Sequence, residues 1–152
     1  MHISWSFLDK RKATAEAVEA YNSMNFIINH AGEEIQNVRS RMGGATSPIL
    51  DGMPHNHNPQ NRENSLLAGI DEIDLLKERY RQAVEYMDWF KPAWEQLSEE
   101  ERYVLDVFYK SGNESTDGLI AVMERYKIER SSAYNRKNRS LEHLSTLLYG
   151  KV

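Results

Sequence analysis

Tyr126-Lys-Ile-Glu-Arg-Ser-Ser-Ala-Tyr-Asn-Arg-Lys-Asn-Arg139 decides the reading of this chain. The segment before it carries Leu119, Ile120, Val122 and Met123 at helical spacing and should end near Tyr126. Lys127 to Arg130 then form a short turn, and Ser131 or Ser132 opens a new helix. That helix should bury Ala133, Leu141, Leu144 and Leu148. One apolar residue, Ile128, sits inside the turn. Two helices, a tight turn and a single buried turn residue make the helix-turn-helix plan. From Arg130 to Leu141 there are four bases (Arg130, Arg136, Lys137 and Arg139) and no acid.

Upstream, Leu97-Ser-Glu-Glu-Glu-Arg-Tyr-Val-Leu105 opens with Ser98 as an N-cap and Glu101 three residues later, a capping box. Val104, Leu105 and Phe108 follow on one face. Lys110 to Thr116 is a break, with Gly112 as a left-handed stop and Thr116 or Ser115 as the next cap.

Farther toward the N-terminus the plan becomes long helices. Residues 1–42 form one helix, with a stripe through Ala13, Ala17, Tyr21, Ile28, Ile35 and Met42 and an end at Gly43-Gly44. Residues 43–64 hold Pro48, Pro54, Pro59 and the Asp51-Gly52 pair with no helical or strand period, and read as a polar linker. Ile49, Leu50 and Met53 could tack that linker onto a helix. Asn64 or Ser65 caps a second long helix over 65–96. Its stripe is Leu66, Ile70, Ile73, Leu76, Tyr80, Ala83 or Val84, Met87, Phe90 and Trp94, close to a heptad seam. Pro92 should kink or break it near Lys91. The fold class is therefore all-α: a long-helix, coiled-coil-like N-terminal hairpin, formed within one chain or between chains, followed by a helix-turn-helix over 97–152.

Composition excludes several functions. Without cysteine there is no disulfide, thiolate site or cysteine nucleophile. No apolar run spans a membrane and no secretory signal opens the chain, so the cytoplasm is the expected location, that of a host cell if the gene belongs to a phage. The net charge of -4 argues against nucleic acid only as an average. Acids dominate from Asp71 to Asp106, whereas bases dominate from Arg130, and local charge decides where phosphates can sit. His55 and His57 lack a third ligand nearby and read as loop residues, so neither a metal nor a cofactor is expected. No phosphate-binding glycine loop or paired acid and base stands out, and the chain is not expected to be an enzyme.

The polar residues of the last helix are the candidate contacts to double-stranded DNA. Arg130, Ser131, Ser132, Tyr134, Asn135 and Asn138 can reach bases or phosphates, Lys137 and Arg139 phosphates. Tyr134 could equally be core, and Arg136 could face solvent, pack its stem or touch DNA.

Two stretches carry a family resemblance. Leu97 to Leu105 resembles the opening of sigma-factor region 4, and Ile128 to Leu144 its turn and recognition helix. Ile128-Glu-Arg-Ser-Ser-Ala-Tyr-Asn-Arg-Lys-Asn138, with Leu147-Leu-Tyr-Gly150, is similar to the sigma-like transcriptional regulators of phages and prophages of Gram-positive bacteria, the ArpU-type late regulators. The usual turn glycine is missing before Ile128, and Arg136 stands where sigma factors bury an aliphatic residue. The resemblance implies promoter or operator binding. Homo-oligomers, dimers first, are expected through the N-terminal helices because one such domain buries little DNA surface. The acidic face of the second long helix reads as solvated, with contact to RNA polymerase or another basic partner as the alternative. A small-terminase-like DNA-packaging subunit and a purely helical interaction module are the alternatives.

Overall fold

The structure is a computed structural model that describes residues 9–43, 59–110 and 116–150. Among the described residues every regular element is helical: α1 (Lys10–Gly43), α2 (Pro59–Gln96), α3 (Glu99–Leu105) continued by a π turn (Asp106–Lys110), α4 (Thr116–Tyr126) and α5 (Arg130–Tyr149). None of these helices is long and apolar enough to cross a membrane. The chain forms two compact units, Asn25–Val84 and Met1–Met24 with Glu85–Val152, and both long helices contribute to each.

Local chemistry sets the helix ends. Asp9 precedes α1: its carbonyl accepts from the Ala13 N–H at 2.9 Å and its carboxylate from the Lys12 N–H at 3.2 Å, satisfying donors with no intrahelical partner. α1 is described through Gly43, and Gly44, the second residue of its expected end, lies outside the described residues. The expected linker overlaps α2, because residues 59–64 are helical. Pro59, the first residue described there, has the fixed φ and missing N–H that a first helical turn tolerates. Ser65 is consequently an interior residue whose hydroxyl donates to the Asn61 carbonyl. The expected break at Pro92 is also absent, and α2 runs through to Gln96. Pro92 removes one backbone bond a turn from the helix end, while Phe90, Ala93 and Trp94, all buried, hold the segment in place. Ile49, Leu50, Met53, the Asp51-Gly52 pair, His55 and His57 lie outside the described residues.

In the unit Asn25–Val84, α1 and α2 pack along Val38, Ile73 and Leu76, with Ile35 and Met42 beside them. Met42 lies against Gly69, and Arg41 bonds Glu72 at 3.0 Å. The heptad stripe expected on α2 is only partly used. Leu66, Ile70 and Tyr80 are exposed, because α1 packs on the neighbouring edge of α2 through Gly69, Ile73 and Leu76.

The other unit has the larger core. Ala17 and Val18 of α1, Phe90 and Trp94 of α2, Leu105 of α3 and Leu141, Leu144 and Leu148 of α5 form one buried cluster. Phe90 stacks on Tyr86 at 5.3 Å and Trp94 at 5.5 Å, and tilts against Tyr21 at 5.8 Å. The Tyr86 hydroxyl donates to the Ala17 carbonyl. Burial pushes its pKa well above the usual tyrosine range, with the Tyr21 and Tyr149 phenols adding to the shift. Thr14 is fully buried with its hydroxyl bonded to the Lys10 carbonyl at 2.6 Å; like Val18, it is outside the stripe that the sequence suggested.

Candidate nucleic-acid interface

The site is built on a second small core. Val104 and Phe108 of the α3 segment, Leu119 and Val122 of α4 and Ala133 of α5 pack together. The expected capping box opens α3: the Glu101 N–H donates to Ser98 Oγ at 3.2 Å and the Ser98 N–H to Glu101 Oε2 at 2.9 Å. α4 approaches the π turn so closely that a Cβ on Gly118 would collide with the Val107 carbonyl and crowd the Phe108 Cα. Thr116 is the first residue of α4 rather than its cap, and Gly112 and Ser115 lie outside the described residues.

Lys127, Ile128 and Glu129 join α4 to α5. The missing turn glycine is explained here: Lys127 itself takes the left-handed conformation, with φ 51°. The Ile128 N–H reaches back to the Met123 carbonyl at 3.2 Å, and the half-buried Ile128 side chain joins the small core. A non-glycine residue at positive φ costs about 1–2 kcal/mol. Lys127→Gly should therefore keep the fold and raise stability by up to about 1 kcal/mol, while the β-branched Lys127→Val should lower it by a similar amount. Thermal unfolding of both variants measures this; equal midpoints would contradict it.

α5 starts at Arg130, ahead of the expected Ser131 or Ser132, because Glu129 adopts the extended N-cap conformation. No side chain caps this end, although the Ala133 N–H reaches the Glu129 carbonyl at 3.0 Å. The first turn thus presents backbone N–H groups together with Arg130, Ser131 and Ser132, all exposed.

The nine candidate contacts separate into two groups. Arg130, Ser131, Ser132, Asn135 and Arg139 are exposed, and Asn138 is half-buried. Ser131, Asn135, Asn138 and Arg139 follow helical spacing and line one face. Tyr134, Arg136 and Lys137 are instead engaged inside the domain. Tyr134 packs against Phe108 at 6.3 Å and joins the small core. The Lys137 ammonium lies 5.4 Å from the Phe108 and Tyr134 ring centres and 5.8 Å from that of Tyr109. Arg136 pairs with Glu100 and sits 4.6 Å over the Tyr126 ring, so its guanidinium clasps α5 to α3 and α4. Beside the exposed set, Glu129, Arg130, Ser131 and Tyr134 bound an open depression, with the Arg130 guanidinium 5.8 Å from the Tyr134 ring.

Electrostatically, the absence of acids along α5 does not extend through space. Glu100 meets Arg136, and Glu101 accepts from or pairs with His143 Nδ1 at 2.8 Å. Partial burial raises the Glu101 pKa, but the Ser98 backbone N–H and His143 outweigh it and hold the carboxyl below its usual range. The fully exposed cations of α5 are Arg130, at the uncapped end beside Glu129, and Arg139, half a turn out of phase on the other side of the helix beside Glu100 and Glu101. Sequence reading missed these acidic partners, because 36 or 42 residues separate the members of each pair and no local pattern links them. It also missed Gly118, whose signal was present: glycine in an amphipathic helix is costly unless another backbone needs the space. Comparison with protein-family models, curated proteins and solved structures found no match to this chain.

Proposed function

We propose that this chain is a phage-type transcriptional regulator that binds promoter or operator DNA through α4, the turn and α5, used as a sigma region-4-like helix-turn-helix. The observation that carries this reading is the outward face of α5. An uncapped N-terminus that carries exposed Arg130 leads into a face of exposed Ser131, Asn135 and Arg139 with Asn138 between them, and α5 is held by packing on the face opposite this row. A duplex major groove admits one such helix. The first-turn N–H groups and small serines can approach a phosphate, and Arg130 can meet a phosphate or guanine. Asn135 has the two-pronged amide that recognises adenine, and Arg139 can bind the flanking backbone. Tyr134, Arg136 and Lys137 hold the helix in place.

In this reading the N-terminal hairpin joins two copies, RNA polymerase is a further partner, and the protein acts in the cytoplasm without catalysing a reaction. Pairing suits the site because one domain offers few base contacts, and two-fold half-sites raise affinity. Arg130→Ala combined with Asn135→Ala should weaken specific duplex binding by about 30-fold or more, two contacts at about 1–3 kcal/mol each. The helical circular dichroism signal should not change, since both residues are exposed. A mobility shift equal to that of the unaltered chain would remove α5 as the reading element.

A further inference from the structure

Within the unit Asn25–Val84, α2 keeps a heptad seam that, among the described residues, its own hairpin only partly covers: Ile73 is buried against α1 and Val84 is half-buried, while Leu66, Ile70, Lys77 and Tyr80 are exposed. Ile70, Lys77 and Val84 repeat every seven residues, as do Leu66, Ile73 and Tyr80, and the two series interleave at spacings of three and four. These are the two apolar positions of a coiled coil, with branched Ile and Val in one series. α1 covers the adjacent edge, Gly69, Ile73 and Leu76, and leaves Leu66 39%, Ile70 48% and Tyr80 43% exposed. The seam from Leu66 to Val84 is about 27 Å long at the rise of an α-helix. A two-helix hairpin with so small a buried core gains most of its stability by packing against another apolar surface.

Charge selects the occupant and its direction. Lys77 stands mid-seam in an apolar series, with Asp74 one turn before it, and both are exposed. A parallel pairing of two copies would set Lys77 against Lys77. An antiparallel pairing that crosses near residue 75 sets each Ile70 against Tyr80 and each Lys77 against Ile73 of the second copy, where Asp74 flanks the contact. One polar residue in an apolar seam fixes register and orientation in just this manner.

We infer that α2 of one chain packs antiparallel on α2 of a second copy of this chain, crossing near residue 75, so that two hairpins form a four-helix bundle. This deepens the proposed pairing of N-terminal hairpins and does not depend on DNA binding. The chain has no cysteine, so thiols can be placed at will. Full-length Ile70→Cys and Tyr80→Cys, both at exposed positions, are treated with a short thiol cross-linker, each alone and in an equimolar mixture without DNA. The mixture should yield several-fold more cross-linked dimer than either variant alone, and light scattering of the unaltered chain should give the mass of two chains. Self-linking of Ile70→Cys as strong as the mixture's, a monomeric mass, or a ring of eight or more chains would overturn the inference. Cross-linking as expected in a protein that binds no duplex would leave this pairing standing and remove the DNA reading alone.

Discussion

Phe90→Ala is expected to destabilise the protein by about 3–5 kcal/mol, the largest single-residue loss in the chain. Phe90 is fully buried at the meeting of α1, α2 and α5, amid Ala17, Val18, Trp94, Leu141 and Leu144. Truncation removes its transfer energy and leaves a cavity among helices too long and mutually packed to collapse into it. The three ring contacts at 5.3 to 5.8 Å disappear too, each worth about 0.5–1.5 kcal/mol beyond the area buried. Against a total stability of about 5–15 kcal/mol, such a loss removes a large share of the margin. Urea unfolding followed by circular dichroism should show a much lower midpoint with little change in slope. Tyr80→Ala, at a 43% exposed position, should shift the midpoint far less in dilute protein. Similar midpoints for the two variants would mean that Phe90 is not the centre of this core.

Gly118→Val should cost about 3 kcal/mol or more, at or above the upper end of what overpacking usually costs. The obstacle is the Val107 carbonyl and the Phe108 backbone, which cannot swing away as a side chain does. Relief requires α4 to move off the π turn, which would open the small core of Val104, Phe108, Leu119, Val122 and Ala133. Gly69 provides the contrast. A Cβ there would meet only the Met42 side chain, a flexible thioether that can change rotamer, so Gly69→Ala should be tolerated. Thermal unfolding compares the two, and comparable stability of Gly118→Val and the unaltered chain would contradict the close approach of α4 to the π turn.

The parts legible in the sequence are those whose cause is local. The capping box at Ser98 and Glu101 and the apolar period that buries Ala133, Leu141, Leu144 and Leu148 each depend on residues of a single helix. The all-helical class follows from the same periods. Where a distant segment decides, sequence was less informative. Pro59 and Pro92 both read as breaks in the sequence, yet both lie in α2, the second held by its buried neighbours Phe90 and Trp94. On α2, period alone could not tell which edge α1 covers, and Leu66, Ile70 and Tyr80 proved to be outside that contact. For the candidate interface, the exposed row from Arg130 to Arg139 was visible as a basic stretch. The withdrawal of Arg136 and Lys137 from it was not, because Glu100, Phe108 and Tyr109 come from the preceding segment.

Selection of duplexes from a random pool on the unaltered full-length chain, repeated at two salt concentrations, tests the central claim most directly. The account predicts one enriched sequence, bound with an affinity that falls steeply as salt rises, because Arg130 and Arg139 displace counterions from phosphates. A pool that stays random, or binding indifferent to salt, would contradict it.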